Sequence, residues 1–139
     1  MHAAVFIHMG LNCIDPLRME KFYEKYFGFK RKNLFIKDSG EQIIMIGSEN
    51  TYLELFKVSE KSIEEKTGAT GLETAGWRHI CFSVDNLDEM LLKFGDDLKI
   101  TLGPLKLDSF VKGMRACWIE DPEGNIIELN EGYSEDSAI

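Results

Sequence analysis

Strand and helix signals follow the order β-α-β-β-β twice along this chain, and that repetition restricts it to a fold built from two diverged copies of one module. In the first copy, Val5 to Cys13 alternates as a strand, and Asp15-Pro16 then supplies a helix cap and a first-turn proline. Leu17, Met19, Phe22, Tyr23, Tyr26 and Phe27 recur at helical spacing, with Glu20, Lys21, Glu24 and Lys25 opposite, and Gly28 marks the stop. Phe29 to Ile36, Gln42 to Ile46 and Thr51 to Val58 are predicted strands, divided by Asp38-Ser39-Gly40 and Ser48-Glu49-Asn50. The polar segment Ser59 to Ala75 reads as a connector. The pattern then returns: a strand from Trp77 to Val84, a helix from Leu87 to Phe94, and strands at Lys99 to Leu102, Met114 to Glu120 and Ile126 to Asn130, the last two joined by DPEGN.

The prediction is an α+β protein of one domain, with module one at about 5–58, a connector at 59–75, module two at about 76–130 and an acidic tail at 131–139. The glycine-bounded segment Gly103 to Gly113 reads either as a gating loop whose Leu105, Leu107 and Phe110 cover an apolar part of a ligand or as an ordinary strand and hairpin, since Leu105 and Leu107 alternate with Lys106 and Asp108. At 139 residues the length suits a single domain, and no apolar run is long enough to cross a membrane as a helix. A formal net charge of −8 argues against nucleic acid as a partner, because binding phosphates requires clustered Lys and Arg. The start MHAAVFIHMG lacks the features of a secretory leader, so a cytoplasmic location is expected. Three cysteines without a CxxC pair fit neither a disulfide framework nor a thiolate zinc site.

The repeat also carries chemistry. Aligned by strands, His8 falls opposite His79 and Glu54 opposite Glu128, so each copy has a histidine in its first strand and a glutamate in its last. Residues alternate between the faces of a strand. Ile7, Met9 and Leu11, Leu53 and Leu55, Ile80, and Ile127 and Leu129 flank these four and make an aliphatic face suited to packing under the helices. His8, Glu54, His79 and Glu128 are then left together on the opposite, concave face of a curved sheet. Two carboxylates brought together without a cation repel each other and lose hydration, which a divalent ion relieves. Two imidazoles and two carboxylates without thiolate suit Ni²⁺, Zn²⁺, Co²⁺, Mn²⁺ or Fe²⁺ and leave positions open on a six-coordinate ion. Paired His to Glu hydrogen bonds without metal are the alternative.

The segments FIHMGLNCID, FYEKYFGF, YLELF, GWRHICFSVDNLDEM and WIEDPEGNIIEL together resemble the vicinal oxygen chelate superfamily, also described as glyoxalase, bleomycin-resistance and extradiol-dioxygenase proteins. The resemblance covers nearly the whole chain. It implies paired βαβββ modules forming an open, curved mixed sheet around one metal, with His8, Glu54, His79 and Glu128 as ligands, and it favours Ni or Zn. A glutamate at Glu54 sets the chain apart from extradiol dioxygenases, and the full set of four from metal-free resistance proteins. The ligand set is similar to those of glyoxalase I and methylmalonyl-CoA epimerase, in which the metal holds vicinal substrate oxygens and stabilises an enediolate or enolate. That likeness implies a lyase or isomerase acting on a small carbonyl substrate, with Glu128 as base and Glu54 opposite. Asn12 and Val58 stand where glyoxalase I has a glutathione-contacting Arg and Asn, so the resemblance stops short of those contacts. Members of this length commonly pair as homodimers.

Asn12, Tyr52, Phe56, Trp77, Phe110 and Trp118 are candidate substrate contacts, and Arg115 is the candidate cation for an anionic substrate group. Three other readings of the scaffold stay open: a small-molecule binding or resistance protein, an epimerase of an acyl-CoA, and a non-haem iron dioxygenase.

Overall fold

The computed structural model describes residues 3–59 and 76–135. The chain divides into two compact units, Met1–Ile63 and Glu64–Ile139. The expected connector lies outside the described residues except at Ser59, and so does the tail beyond Glu135.

In the first unit, β1 (His8–Cys13) leads to α1 (Pro16–Phe27), followed by β2 (Lys30–Ile36), β3 (Gln42–Gly47) and β4 (Tyr52–Lys57). Asp15 caps α1 by accepting from the Arg18 amide at 3.0 Å, and Pro16 loses nothing in a turn whose amides have no helical partner. Gly28 ends the helix in the left-handed region, at φ 66°, where a side chain would be strained. The four strands form a sheet ordered β1-β4-β3-β2, in which β1 and β4 run parallel and the other neighbours antiparallel. Met19, Phe22, Tyr23 and Tyr26 of α1 are buried, as are Ile44 and Ile46 of β3 and Leu53 and Leu55 of β4. Tyr23 is fully enclosed, stacked on Phe29 at 5.9 Å and edge-on to Phe22 at 5.4 Å between ring centroids. Glu20, also buried, accepts two hydrogen bonds from the Arg31 guanidinium and so joins α1 to β2.

Gly47, at the end of β3, faces Tyr52 across the ladder. A Cβ there would stand 2.5 Å from the Tyr52 ring and 2.6 Å from the Thr51 carbonyl oxygen. Gly47→Ala must therefore displace backbone, and a loss of about 1–3 kcal/mol is expected in urea unfolding. An unchanged midpoint would show that the turn relaxes freely.

The second unit repeats the plan with β5 (Ile80–Ser83), α2 (Leu87–Phe94), a short 3₁₀ turn (Gly95–Asp97), β6 (Ile100–Lys106), β7 (Arg115–Glu120) and β8 (Ile126–Glu131). The strand order is β5-β8-β7-β6, again with the first pair parallel and the rest antiparallel. Leu87, Met90 and Phe94 of α2 are buried, and so are Cys117 and Ile119 of β7 and Ile127 and Leu129 of β8. Asn86 caps α2 through the Glu89 amide at 3.0 Å, and the Glu131 carboxylate accepts from the Leu87 amide at 2.9 Å. In the DPEGN turn, Asp121 is buried and accepts from the Glu123 and Asn125 amides and from the Asn125 side chain, which fixes the β7–β8 connection.

Each unit is thus a βαβββ module with its own four-stranded mixed sheet, so the α+β prediction holds. The strand predicted from Val5 begins only at His8, because its partner β4 starts at Tyr52, directly opposite His8. Ile7, assigned to the aliphatic face, is 62% exposed. Of the two readings of Gly103 to Gly113, the strand and hairpin is the one the backbone adopts. The segment's first four residues extend β6, with Leu105 opposite Ala116 and Lys106 opposite Arg115. The remainder closes into a hydrogen-bonded turn in which Leu107 pairs with Met114, Val111 is buried and the Asp108 carboxylate accepts from the Gly113 amide. Phe110 at its tip is 66% exposed.

Candidate functional site

In the first module, β1 and β4 lie parallel with Gly10 opposite Glu54, so His8, two residues earlier on β1, shares a face with Glu54. His8 Nε2 stands 3.8 Å from Glu54 Oε2. Asn12, Tyr52 and Phe56 lie on this same face, and Phe56 packs over Gly10, where a Cβ would meet its ring at 3.4 Å. The opposite face carries Leu53 and Leu55 into the core with α1.

The second module reproduces the arrangement. Cys81 lies opposite Glu128 on the parallel strands β5 and β8, and His79, two residues before Cys81, holds Nε2 at 3.2 Å from Glu128 Oε2. Both side chains are mostly buried. Trp118 lies directly across β7–β8 from Glu128, with its ring centroid 6.4 Å from that of His79 in an edge-on contact. Cys81 also faces this side. Desolvation, and then the neighbouring Glu128 carboxylate, push its thiol up to about 12, so it is protonated at neutral pH.

The structure therefore brings His8 to Glu54 on neighbouring parallel strands, and His79 to Glu128 from the residue just before β5, since the strand expected from Trp77 begins only at Ile80. Each module alone gathers two donors, and among the described residues no group of three or more His, Cys, Asp or Glu forms. The donor chemistry fits a divalent ion. Two ligands of one ion, each about 2.1 Å from it, stand about 3.0–3.4 Å apart. The second pair falls within that range and the first is slightly wider. The second pair is also within hydrogen-bond reach, and the first, at 3.8 Å, is not.

Arg115 requires a correction. It lies opposite Glu131 and on the face of Cys117 and Ile119, away from Glu128. Its guanidinium binds both oxygens of Asp88 on α2 at 3.0 and 3.1 Å and approaches Glu131 at 3.6 Å. It thus ties α2 to β7 and β8, and a cation so engaged on the opposite face does not serve a substrate anion beside Glu128. The Arg115 hydrogen bond holds the Asp88 carboxyl below its ordinary range. A depressed carboxyl stabilises the fold above its unfolded pKa, and that contribution disappears as pH falls through the folded value. Asp88→Asn is therefore expected to flatten the acid limb of the stability–pH curve, and an unchanged limb would remove the pair from the account. Trp77 is 76% exposed. Asn130, two residues beyond Glu128 and on its face, was not among the sequence candidates, although strand alternation alone marks it.

A βαβββ module present twice, with a His at or just before its first strand beside a Glu on the parallel last strand each time, defines a two-module protein of the vicinal oxygen chelate type. The chain belongs to the Glyoxalase/Bleomycin resistance protein/Dioxygenase superfamily, whose family model matches residues 5–129. Solved structures with this fold include a glyoxalase family protein from Bacillus cereus, with 16% identity, a TM-score of 0.73 and 96% of this chain and 97% of that one covered. A glyoxalase family protein from Enterococcus faecalis is 20% identical, with a TM-score of 0.69 and coverage of 91% and 97%. The trypanothione-dependent glyoxalase I of Leishmania major is 20% identical, with a TM-score of 0.65 and coverage of 93% and 87%. No curated protein matches the sequence. Among the described residues no helix is long and apolar enough to cross a membrane.

Proposed function

We propose that this protein is a metal-dependent lyase or isomerase of glyoxalase type, acting on a small carbonyl substrate. The observation that supports the reading is the His–Glu pair repeated in both modules with the same two-residue offset, His8 before Gly10 opposite Glu54 and His79 before Cys81 opposite Glu128. His8, Glu54, His79 and Glu128 would hold one divalent ion, Ni or Zn in preference to Co, Mn or Fe, with the two modules acting as one domain. When bound, that ion supplies positive charge to a carbonyl oxygen and acidifies the neighbouring carbon.

Glu128 is the proposed base, taking a proton from that carbon and returning it at the adjacent position, with Glu54 as the second carboxylate. Trp118, across the ladder from Glu128, excludes water from the carboxylate and orients the substrate. The test is metal analysis of protein purified without chelator, combined with a screen of 2-oxoaldehyde thiohemiacetals, acyl-CoA thioesters and catechols for proton exchange in heavy water. Less than about a tenth of an equivalent of metal after loading with Ni²⁺ or Zn²⁺ would overturn the metal assignment. Stoichiometric metal without turnover of any class would leave a small-molecule binding protein on this scaffold.

A homodimer is expected, with each ion held by modules of one chain or of two. Among the described residues β1 and β5 are each the end strand of their sheet, and pairing between chains would cover such edges. Light scattering at micromolar concentration checks this, and a monomer would count against it. A cytoplasmic location goes with this proposal; Cys13, Cys81 and Cys117 form no disulfide among the described residues.

A further inference from the structure

The Glu128 face of the second module contains two buried polar atoms that meet no hydrogen-bond partner among the described residues. Trp118 and Asn130 are only 8% and 7% exposed. Trp118 Nε1, a donor, and Asn130 Oδ1, an acceptor, have no hydrogen-bond partner among the described residues. Leaving either unpaired costs about 1–3 kcal/mol, so a protein that retains both has something else to bind them. Both side chains lie on one face, because Trp118 is opposite Glu128 and Asn130 follows Glu128 by two residues on β8. Ala116 and Ile126 pack with Trp118 there, joined by Leu102 and Leu107, which makes the surroundings of the indole apolar, while Asn130 lies between Ala116 on β7 and Ser83 on β5.

We infer that this face binds a neutral ligand group carrying an acceptor and a donor side by side, a primary or secondary carboxamide on a short apolar stem, with its carbonyl oxygen on Trp118 Nε1 and its N–H on Asn130 Oδ1. A carboxylate could accept from the indole but would meet Asn130 Oδ1 with a second acceptor and would lie near Glu128 of like charge. The arginine that might have balanced that charge faces the other way and is held by Asp88. A ketone satisfies the indole and leaves the asparagine oxygen unpaired. Of these three groups only the carboxamide completes both bonds. The inference deepens the proposed function by naming a part of its substrate, and it rests on that reading only for Glu128 as the reacting end of the site.

The test uses three probes of nearly equal shape, isobutyramide, isobutyrate and 3-methyl-2-butanone, added to the full chain in EDTA, so that failure of the metal assignment does not affect the outcome. The chain has two tryptophans, so its nitrogen–proton spectrum contains two indole signals, and Trp77→Phe identifies that of Trp118. Isobutyramide is expected to move the Trp118 indole signal saturably, with affinity higher by on the order of ten-fold than for either of the other probes. Asn130→Leu should abolish the preference of amide over ketone while leaving the rest of the spectrum folded. Equal shifts from all three probes, tighter binding of isobutyrate, or a Trp118 signal that responds to none and shows only cross-relaxation with a trapped water would each overturn the inference.

Discussion

Glu128→Gln is expected to lower divalent-metal affinity by about 100-fold or more and to abolish proton transfer, while the fold remains intact. The substitution keeps the shape of the side chain and removes the charge that an ion would neutralise, and an amide oxygen is a far weaker ligand than a carboxylate. His79 Nε2, 3.2 Å from the carboxylate, keeps its place beside the amide, so the damage stays local. Loss of the base alone removes about 10²–10⁴ of rate. Competition titration with a chromophoric chelator reads the first effect and solvent-proton exchange the second. Full turnover by the variant would exclude Glu128 as base, and unchanged affinity would exclude it as a ligand. Glu54→Gln provides the matching measurement in the first module, where the pair is wider, at 3.8 Å, and His8 is more exposed.

Tyr23→Ala should destabilise the protein by about 3–5 kcal/mol, a large part of the stability of an ordinary domain. The ring is fully buried, stacks on Phe29 and meets Phe22 edge-on, so truncation leaves a void bounded by aromatic rings that cannot easily close. Leu17 on the same helix is an exposed control, and Leu17→Ala should change stability by less than about 0.5 kcal/mol. Denaturant midpoints measure both. A small loss at Tyr23 would mean that the core refills the space.

The ends of both helices were legible in the sequence because capping is local. Asp15 reaches the Arg18 amide and Asn86 the Glu89 amide whatever the rest of the chain does. The His–Glu pairs were legible because strand alternation is also local, and the repeat gave the same reading twice. Where alternation is hidden, the sequence misleads. Ala116, Cys117, Trp118 and Ile119 are all buried, so neither face of β7 is marked by polarity, and the face of Arg115 was open until β7 was paired with β8. The strand expected over Lys99 to Leu102 stops short of the Gly103-Pro104 step, and proline cannot donate to a ladder. The step sits instead in β6, the last strand of its sheet, where one side of the backbone has no neighbour and a missing amide is tolerated.

The sequence by itself determined the two βαβββ modules, their helix boundaries and the histidine and glutamate that face each other in each, since all of these follow from contacts within a few residues and from period-two patterning. Only the tertiary structure decided that Arg115 serves the helix side, that residues 103–106 are strand, and that Trp118 and Asn130 hold unpaired polar atoms on the Glu128 face. These depend on which strand lies beside which and in what register, and that is set by the packing of residues far apart in the chain.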